Sequence, residues 1–323
     1  GLRLRFRTPA GGGTTETTLA GRLRVADLDV TLGTGADSIV LEGLTGGVAI
    51  DESTVAETGG GLRGRLEGAG LRLFGQPFTD IDATFAADAE RIEIQQLACR
   101  LHGGSLGNGD AAAPAVRYQL PGAAEPEGAL AGDIAFAGVD VAGFLAATGW
   151  RQPPYSGAAS GRVRLDRLAG ADAVGATGSG ELRLERANLG VVPLFTAIYA
   201  QLPPADRPRF DALDLAFQVR EGTAEFPRLE VRSNVIAARG RGRLGFDGYL
   251  DVELTLDKLL GDSADPFVMP LLSYLAQNIV TFHLYGYLNA LRAENRWLNE
   301  GAPPRPAVVP TPPSGRPRTP AGA

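Results

Sequence analysis

So few side chains in this sequence are of kinds that do chemistry that each can be weighed alone. Histidine occurs twice, as His102 and His283. His283 lies in "TFHLYG", between Phe282 and Leu284 on a strand-like run, and reads as a partly exposed sheet residue facing water. His102 stands beside Gly103 and Gly104 and reads as a turn residue at a strand end. Neither has a local His or Cys at metal-ligand spacing. Cys99 is the only cysteine, which excludes an internal disulfide and a Cys-based metal site.

The acidic pairs Asp27/Asp29, Asp80/Asp82 and Asp251/Glu253 are spaced i,i+2, so both carboxylates of a pair share one strand face. A glycosidase dyad or a calcium site could use such a pair. The same spacing arises wherever a sheet alternates, and the solvated face is the better reading. Serine has no G-x-S-x-G elbow: "GAASG" (157–161) and "TGSGE" (177–181) are Gly-bounded turns. Lys258 is the only lysine, and "GTGADS" (33–38) lacks the lysine and the strand–helix frame of a phosphate loop. These residues point to a non-enzymatic protein with no catalytic residue, no metal and no cofactor.

The elements that would position any site read as strands. "LRLRFR", "TLAGRLRV", "RIEIQ", "GRVRLD", "LDLAFQV" and "YLDVELTLD" all alternate apolar with polar, the pattern of antiparallel strands wet on one side. Leu250, Val252, Leu254 and Leu256 face one way in the last of these, and Leu213, Leu215 and Phe217 do so in "LDLAFQV". Glycine is abundant, at 44 residues, with no G-x-y period, so collagen is excluded. The runs "GRLRV", "GRVRLD", "GELRLE" and "GRGRLGFDG" suggest a degenerate G-x-L-x-L hairpin repeat with Gly as the turn before each strand.

Three stretches break the alternation: 140–150, 191–202 and 265–280. The second carries Leu194, Phe195 and Ile198 at helical spacing between Pro193 and Pro203–Pro204, and reads as a capping helix. Stretches 10–18 and 109–114 read as flexible loops, and 168–179 as a Gly/Ala-rich insertion. Residues 301–323 hold eight prolines and read as a disordered tail. The expected fold is mostly β: a long curved antiparallel sheet, groove-like or partly closed, with two or three short capping helices.

The net charge of −6, with no basic stripe, argues against a nucleic-acid partner. No apolar run approaches the roughly 18 residues of a membrane span. The chain opens on Gly1 and at once on "LRLRF", as the interior of a longer polypeptide would, which leaves a signal or anchor upstream open. A one-sided sheet must either fill its apolar face with its own side chains or leave it for a ligand such as an acyl chain. Pattern alone leaves both open.

The segment 180–300 resembles the C-terminal region of AsmA-like proteins, the superfamily that includes the TamB- and YdbH-like bridge proteins. The resemblance rests on an ordered series of motifs. "GELRLERANLGVVPLFTAIYAQL" comes first, then an F-x-x-L-x-x-x-F-x-V-x-x-G stretch at Phe210, Leu213, Phe217, Val219 and Gly222. A closing strand at Leu284, Gly286, Tyr287 and Leu288 is similar to V-x-G-T-L-x-x-P, with Tyr287 in place of Thr and Ala290–Leu291 where Pro is usual. Residues 1–179 fit as a repetitive β region, and 301–323 as the tail. The resemblance implies a periplasmic protein anchored in the inner membrane by an upstream segment, supporting outer-membrane biogenesis by conducting phospholipid along an apolar groove. The groove residues would be Leu213, Leu215, Phe217, Leu250, Val252, Leu254 and Leu256, with phospholipid and an envelope protein as partners. The alternative is a structural or assembly factor for outer-membrane proteins whose apolar core is sealed and carries no lipid.

Overall fold

The structure is a computed structural model that describes residues 2–7, 16–32, 39–55, 61–122, 127–149, 155–169, 173–188, 210–233, 236–258, 281–287 and 290–296. It is mostly β. Seventeen strands join one antiparallel sheet: β1 (Leu2–Arg7), β2 (Glu16–Leu32), β3 (Ile39–Val55), β4 (Leu62–Leu73), β5 (Gln76–Ala87), β6 (Arg91–Leu101), β7 (Gly104–Asn108), β8 (Val116–Gln119) and β9 (Ala129–Asp140). Then follow β10 (Ala158–Ala169), β11 (Thr177–Glu185), β12 (Phe210–Arg220), β13 (Thr223–Ser233), β14 (Ile236–Gly245), β15 (Tyr249–Lys258), β16 (Thr281–Tyr287) and β17 (Arg292–Arg296). The pairings follow chain order from β1 to β17, so the sheet is a meander. Each alternating run named above is a strand. The division at residue 180 falls inside β11, and the sheet runs on through it.

Order is interrupted once. β7 and β8 both pair with β6 on one side and β9 on the other, closing a four-strand circuit in which they lie end to end as halves of one rung. The gap faces Gln95–Leu97 of β6. Asn108 fills it with its side chain: Oδ1 accepts from the Leu97 amide at 2.9 Å, and Nδ2 donates to the carbonyls of Gln95 at 2.7 Å and Ala113 at 2.9 Å. One amide thus replaces missing ladder bonds, and the loop 109–115 is pinned rather than loose.

A repeated bulge crosses the first half of the sheet. Asp27–Leu28–Asp29, Gly43–Leu44–Thr45, Gly68–Ala69–Gly70, Asp80–Ile81–Asp82 and Gly138–Val139–Asp140 each begin with a left-handed residue, at φ 55°, 61°, 58°, 50° and 70°. The register shifts at each of them. The bulge adds a residue to one strand and re-aims the apolar residue that follows, which is buried at Ala69, Ile81 and Val139.

The glycines of the G-x-L-x-L runs correct the turn reading. Gly21, Gly161, Gly180, Gly240 and Gly242 lie within strands. The tight turns instead use Phe74–Gly75, His102–Gly103 and Glu221–Gly222, with φ positive at both residues as a two-residue type I′ hairpin demands.

Because the strands alternate in direction, their connections sort onto two rims. The first rim carries those after β2, β4, β6, β9, β11, β13 and β15, and the second carries the rest. Stretch 140–150 yields a seven-residue helix, α1 (Val141–Ala147), on the first rim, with Asp140 as its N-cap accepting from the Gly143 amide at 2.9 Å. A 3-10 turn spans Ala173–Gly175. The expected capping helix with Leu194, Phe195 and Ile198, the stretch 265–280 and the tail 301–323 lie outside the described residues.

Candidate functional site: the apolar face of the sheet

Residues directly opposite in an antiparallel pair point to the same side, so register assigns every side chain to a face. One face runs Leu23–Val48–Leu66–Ala83–Leu97 across β2 to β6. Further along it runs Phe136–Gly161–Leu182–Leu215–Leu229–Gly240–Leu254–Phe282 across β9 to β16. Three buried clusters form on it. One lies around Ala69, Ile81 and Cys99, one around Leu101, Val139 and Ala159, and one around Leu229, Val231, Val252 and Leu284. Phe78 and Leu106 pack against the first two, and Leu184 against the last two. The core is therefore a strip continuous from β3 to β16 rather than a single globule. At roughly 4.8 Å per strand it spans about 55–60 Å along the sheet.

Three in-strand glycines on this strip each face a phenylalanine ring. Gly64 lies opposite Phe85, Gly161 opposite Phe136 and Gly180 opposite Phe217. A Cβ on Gly64 would stand 2.7 Å from the Phe85 ring, and one on Gly180 2.5 Å from that of Phe217. Each ring lies across the space a side chain would have filled.

The residues expected to touch lipid fall on this face but differ in access. Val252 and Leu254 are 2% and 3% exposed, inside the packed cluster. Leu213, Leu215, Phe217 and Leu250 are half-buried. Leu256 shares their face by its register with Ala238, and its side chain is outside the described set. Large apolar side chains are open elsewhere on the strip, at Leu23 and Leu28 of β2 and at Val163 of β10. Val163 lies opposite Gly180 and is 38% exposed. Periodicity found the face but could not rank exposure along it.

The opposite face is a cross-strand ladder of arginines and carboxylates. Arg65 meets Asp82 at 2.9 Å, Arg117 meets Glu93 at 2.8 Å, Arg162 meets Asp133 at 2.7 Å and Arg243 meets Asp251 at 2.9 Å. Arg232 bridges Asp214 and Glu230. Hydrogen bonds from Arg65 and Arg162 hold Asp82 and Asp133 below the usual carboxylate range. The acidic pairs thus resolve into structural parts. Asp27 and Asp80 take the left-handed bulge positions, and Asp29 accepts from the Gly43 amide at 2.8 Å. Asp82 and Asp251 bind arginine. A cleft of about 610 Å³ also opens on this face, lined by Asp51, Arg63, Arg65, Thr84 and Gln96 and walled by Ala111–Pro114.

His283 corrects the expectation of a water-facing residue. It lies on the polar face yet is 6% exposed, stacked on Tyr285 with centroids 4.9 Å apart. Its Nε2 is 2.7 Å from Asp251 Oδ1, and its Nδ1 is buried without a partner. Burial pushes Asp251 up, but hydrogen bonds from His283 and Arg243 outweigh it and leave the carboxyl below its ordinary value. His102 is the turn residue the sequence suggested. Its Nε2 lies 2.7 Å from Gln76 Oε1, while Gln76 Nε2 donates to the Phe144 carbonyl at 3.2 Å, clamping α1 to the β4–β5 and β6–β7 turns. Burial raises the Cys99 thiol to about 11. Among the described residues no group of three His, Cys, Asp or Glu could hold a metal ion, and no helix is long and apolar enough to cross a membrane.

Comparison of the chain with protein-family models, with curated proteins and with solved structures finds no match.

Proposed function

We propose that the apolar face binds the acyl chains of phospholipid and lets them pass along the strip, with no bond made or broken. The observation that carries this is the strip itself, an apolar surface continuous across the strands and backed by a charged face. Glycine and alanine on that face, together with the row of bulges, favour a sheet curved around it, giving acyl chains a smooth trough. Each methylene transferred from water contributes about 0.8 kcal/mol. The AsmA-like resemblance of 180–300 agrees with this reading and would place the protein in the periplasm, anchored upstream in the inner membrane, in outer-membrane biogenesis.

A second reading is favoured by the near-complete burial of Val252, Leu254 and Leu284: a sealed core in an assembly factor without lipid cargo. The two separate at Val163. Phospholipid extracted from the detergent-free protein and quantified by mass spectrometry should fall several-fold in Val163→Asp, with circular dichroism unchanged. Equal lipid in the folded variant, or none in the parent protein, would sink the acyl-chain reading. Leu254 is unsuitable for this test, because a charge placed there would unfold the core.

A further inference from the structure

Asn108 is the only asparagine in the chain that precedes a glycine. An Asn–Gly pair is chemically labile, because glycine carries no side chain to keep its backbone nitrogen away from the asparagine carboxamide. The fold nevertheless requires both residues here. Asn108 makes the three bonds that stitch the gap between β7 and β8. Gly109 is needed because the Asp133–Arg162 pair fills the space of a side chain. A Cβ at Gly109 would overlap Asp133 Oδ1 and stand 2.7 Å from Arg162 Nε.

The atoms that would react are held apart. The Gly109 N–H donates to the Asp133 carbonyl at 2.8 Å, continuing the pairing of β7 with β9. The Asn108 carboxamide is held at both ends, Oδ1 by the Leu97 amide and Nδ2 by the carbonyls of Gln95 and Ala113. Nucleophile and electrophile therefore meet only when this end of the rung opens.

We propose that Asn108–Gly109 is a deamidation site kept latent by the rung, so that an opening of β7 and its loop is recorded as an irreversible covalent change. In the open state the Gly109 nitrogen attacks Asn108 Cγ. The new C–N bond closes a succinimide, and Nδ2 leaves as ammonia, taking the proton of the Gly109 N–H. Water then opens the ring to aspartate or isoaspartate. Aspartate puts an anionic oxygen where Nδ2 had donated, against the carbonyls of Gln95 and Ala113, and isoaspartate adds a carbon to the backbone. Neither product lets the rung close as before. The loop so released contains Ala111–Pro114, one wall of the cleft of about 610 Å³ on the polar face, and the modification opens that wall. The reaction is independent of whether the apolar strip carries lipid.

Peptide mapping by mass spectrometry tests this by following conversion at position 108 in the full chain, folded in buffer and unfolded in guanidinium at the same neutral pH. The folded chain should convert roughly tenfold or more slowly than the unfolded one. Equal rates, or no conversion at this position in the unfolded chain, overturn the proposal. Asn108→Asp supplies the aspartate product directly. It should melt at a lower temperature than Asn108→Ala, which lacks the same bonds but brings no charge against the carbonyls. Its amides at Leu97 and in the 109–115 loop should also exchange faster than the parent's. An Asn108→Asp chain that melts no lower than Asn108→Ala, or keeps the parent's protection at these amides, shows that the rung accepts the product and overturns the proposed opening. The rate comparison uses the parent chain alone, so it stands even where a variant fails to fold.

Discussion

At the residue scale, the polar groups most open to a catalytic interpretation are engaged in holding strands together. Asp251 sits between Arg243 on β14 and His283 on β16, one carboxylate joining three strands. Its folded pKa lies below its unfolded one, so it contributes stability above about pH 4 that is lost as pH falls through the folded value. Asp251→Asn should therefore lower stability at neutral pH and flatten the acid limb of a urea-denaturation profile measured from pH 7 to pH 3. An unchanged acid limb would assign the profile to other carboxylates. The exposed Arg–Asp pairs elsewhere on the ladder are screened by solvent and contribute little to stability. Their evident use is to keep one face of the sheet wet and to oppose a one-residue slip, which would put charge on the apolar strip.

At the element scale, the interrupted rung of β7 and β8 depends on a single side chain. Asn108 satisfies an amide of β6 and carbonyls of β6 and of its own loop. Asn108→Ala should destabilise the protein by about 1–3 kcal/mol, with accelerated amide exchange confined to Leu97 and the 109–115 loop. A global loss of protection would mean that the rung is not locally stitched. The bulges belong to this scale too. Asp-Leu-Asp at 27–29 and Asp-Ile-Asp at 80–82 are the same device, with Gly taking the left-handed position in the other three strands. A search for Asp or Gly two residues before Asp, Thr or Gly within an alternating run would have found it.

At the scale of the whole molecule, each strand leans on its neighbours in sequence, and the core is three clusters in series. Such an architecture approaches the one-dimensional behaviour of repeat proteins, in which stability varies along the array. Hydrogen exchange should be slowest in β13–β16, where Val231, Ala238, Val252 and Leu254 are buried, and fastest in β2 and β3 among the described strands. Uniform protection from β3 to β16 would show instead that the sheet opens as one cooperative unit.

Alternation alone determined the strands and assigned Leu213, Leu215, Phe217, Leu250, Val252 and Leu254 to one face, because a period of two is a local property of a pleated chain. The neighbouring glycines marked His102 as a turn residue, and the break in alternation left stretch 140–150 as a short helix or an irregular cap, of which the structure has the helix. Tertiary structure decided what depends on neighbours far away in sequence. Glycines that look like turn residues proved to be strand positions beneath Phe85, Phe136 and Phe217, since the ring that fills the space belongs to another strand. His283 proved buried, because Asp251, Tyr285 and the strands around them close over a position that alternation marks as wet. The variation of exposure along the apolar face, with Leu23 and Val163 open and Ala69 and Leu254 sealed, likewise came only from packing, because a side chain's neighbours across the sheet set its access while its own strand sets only its direction.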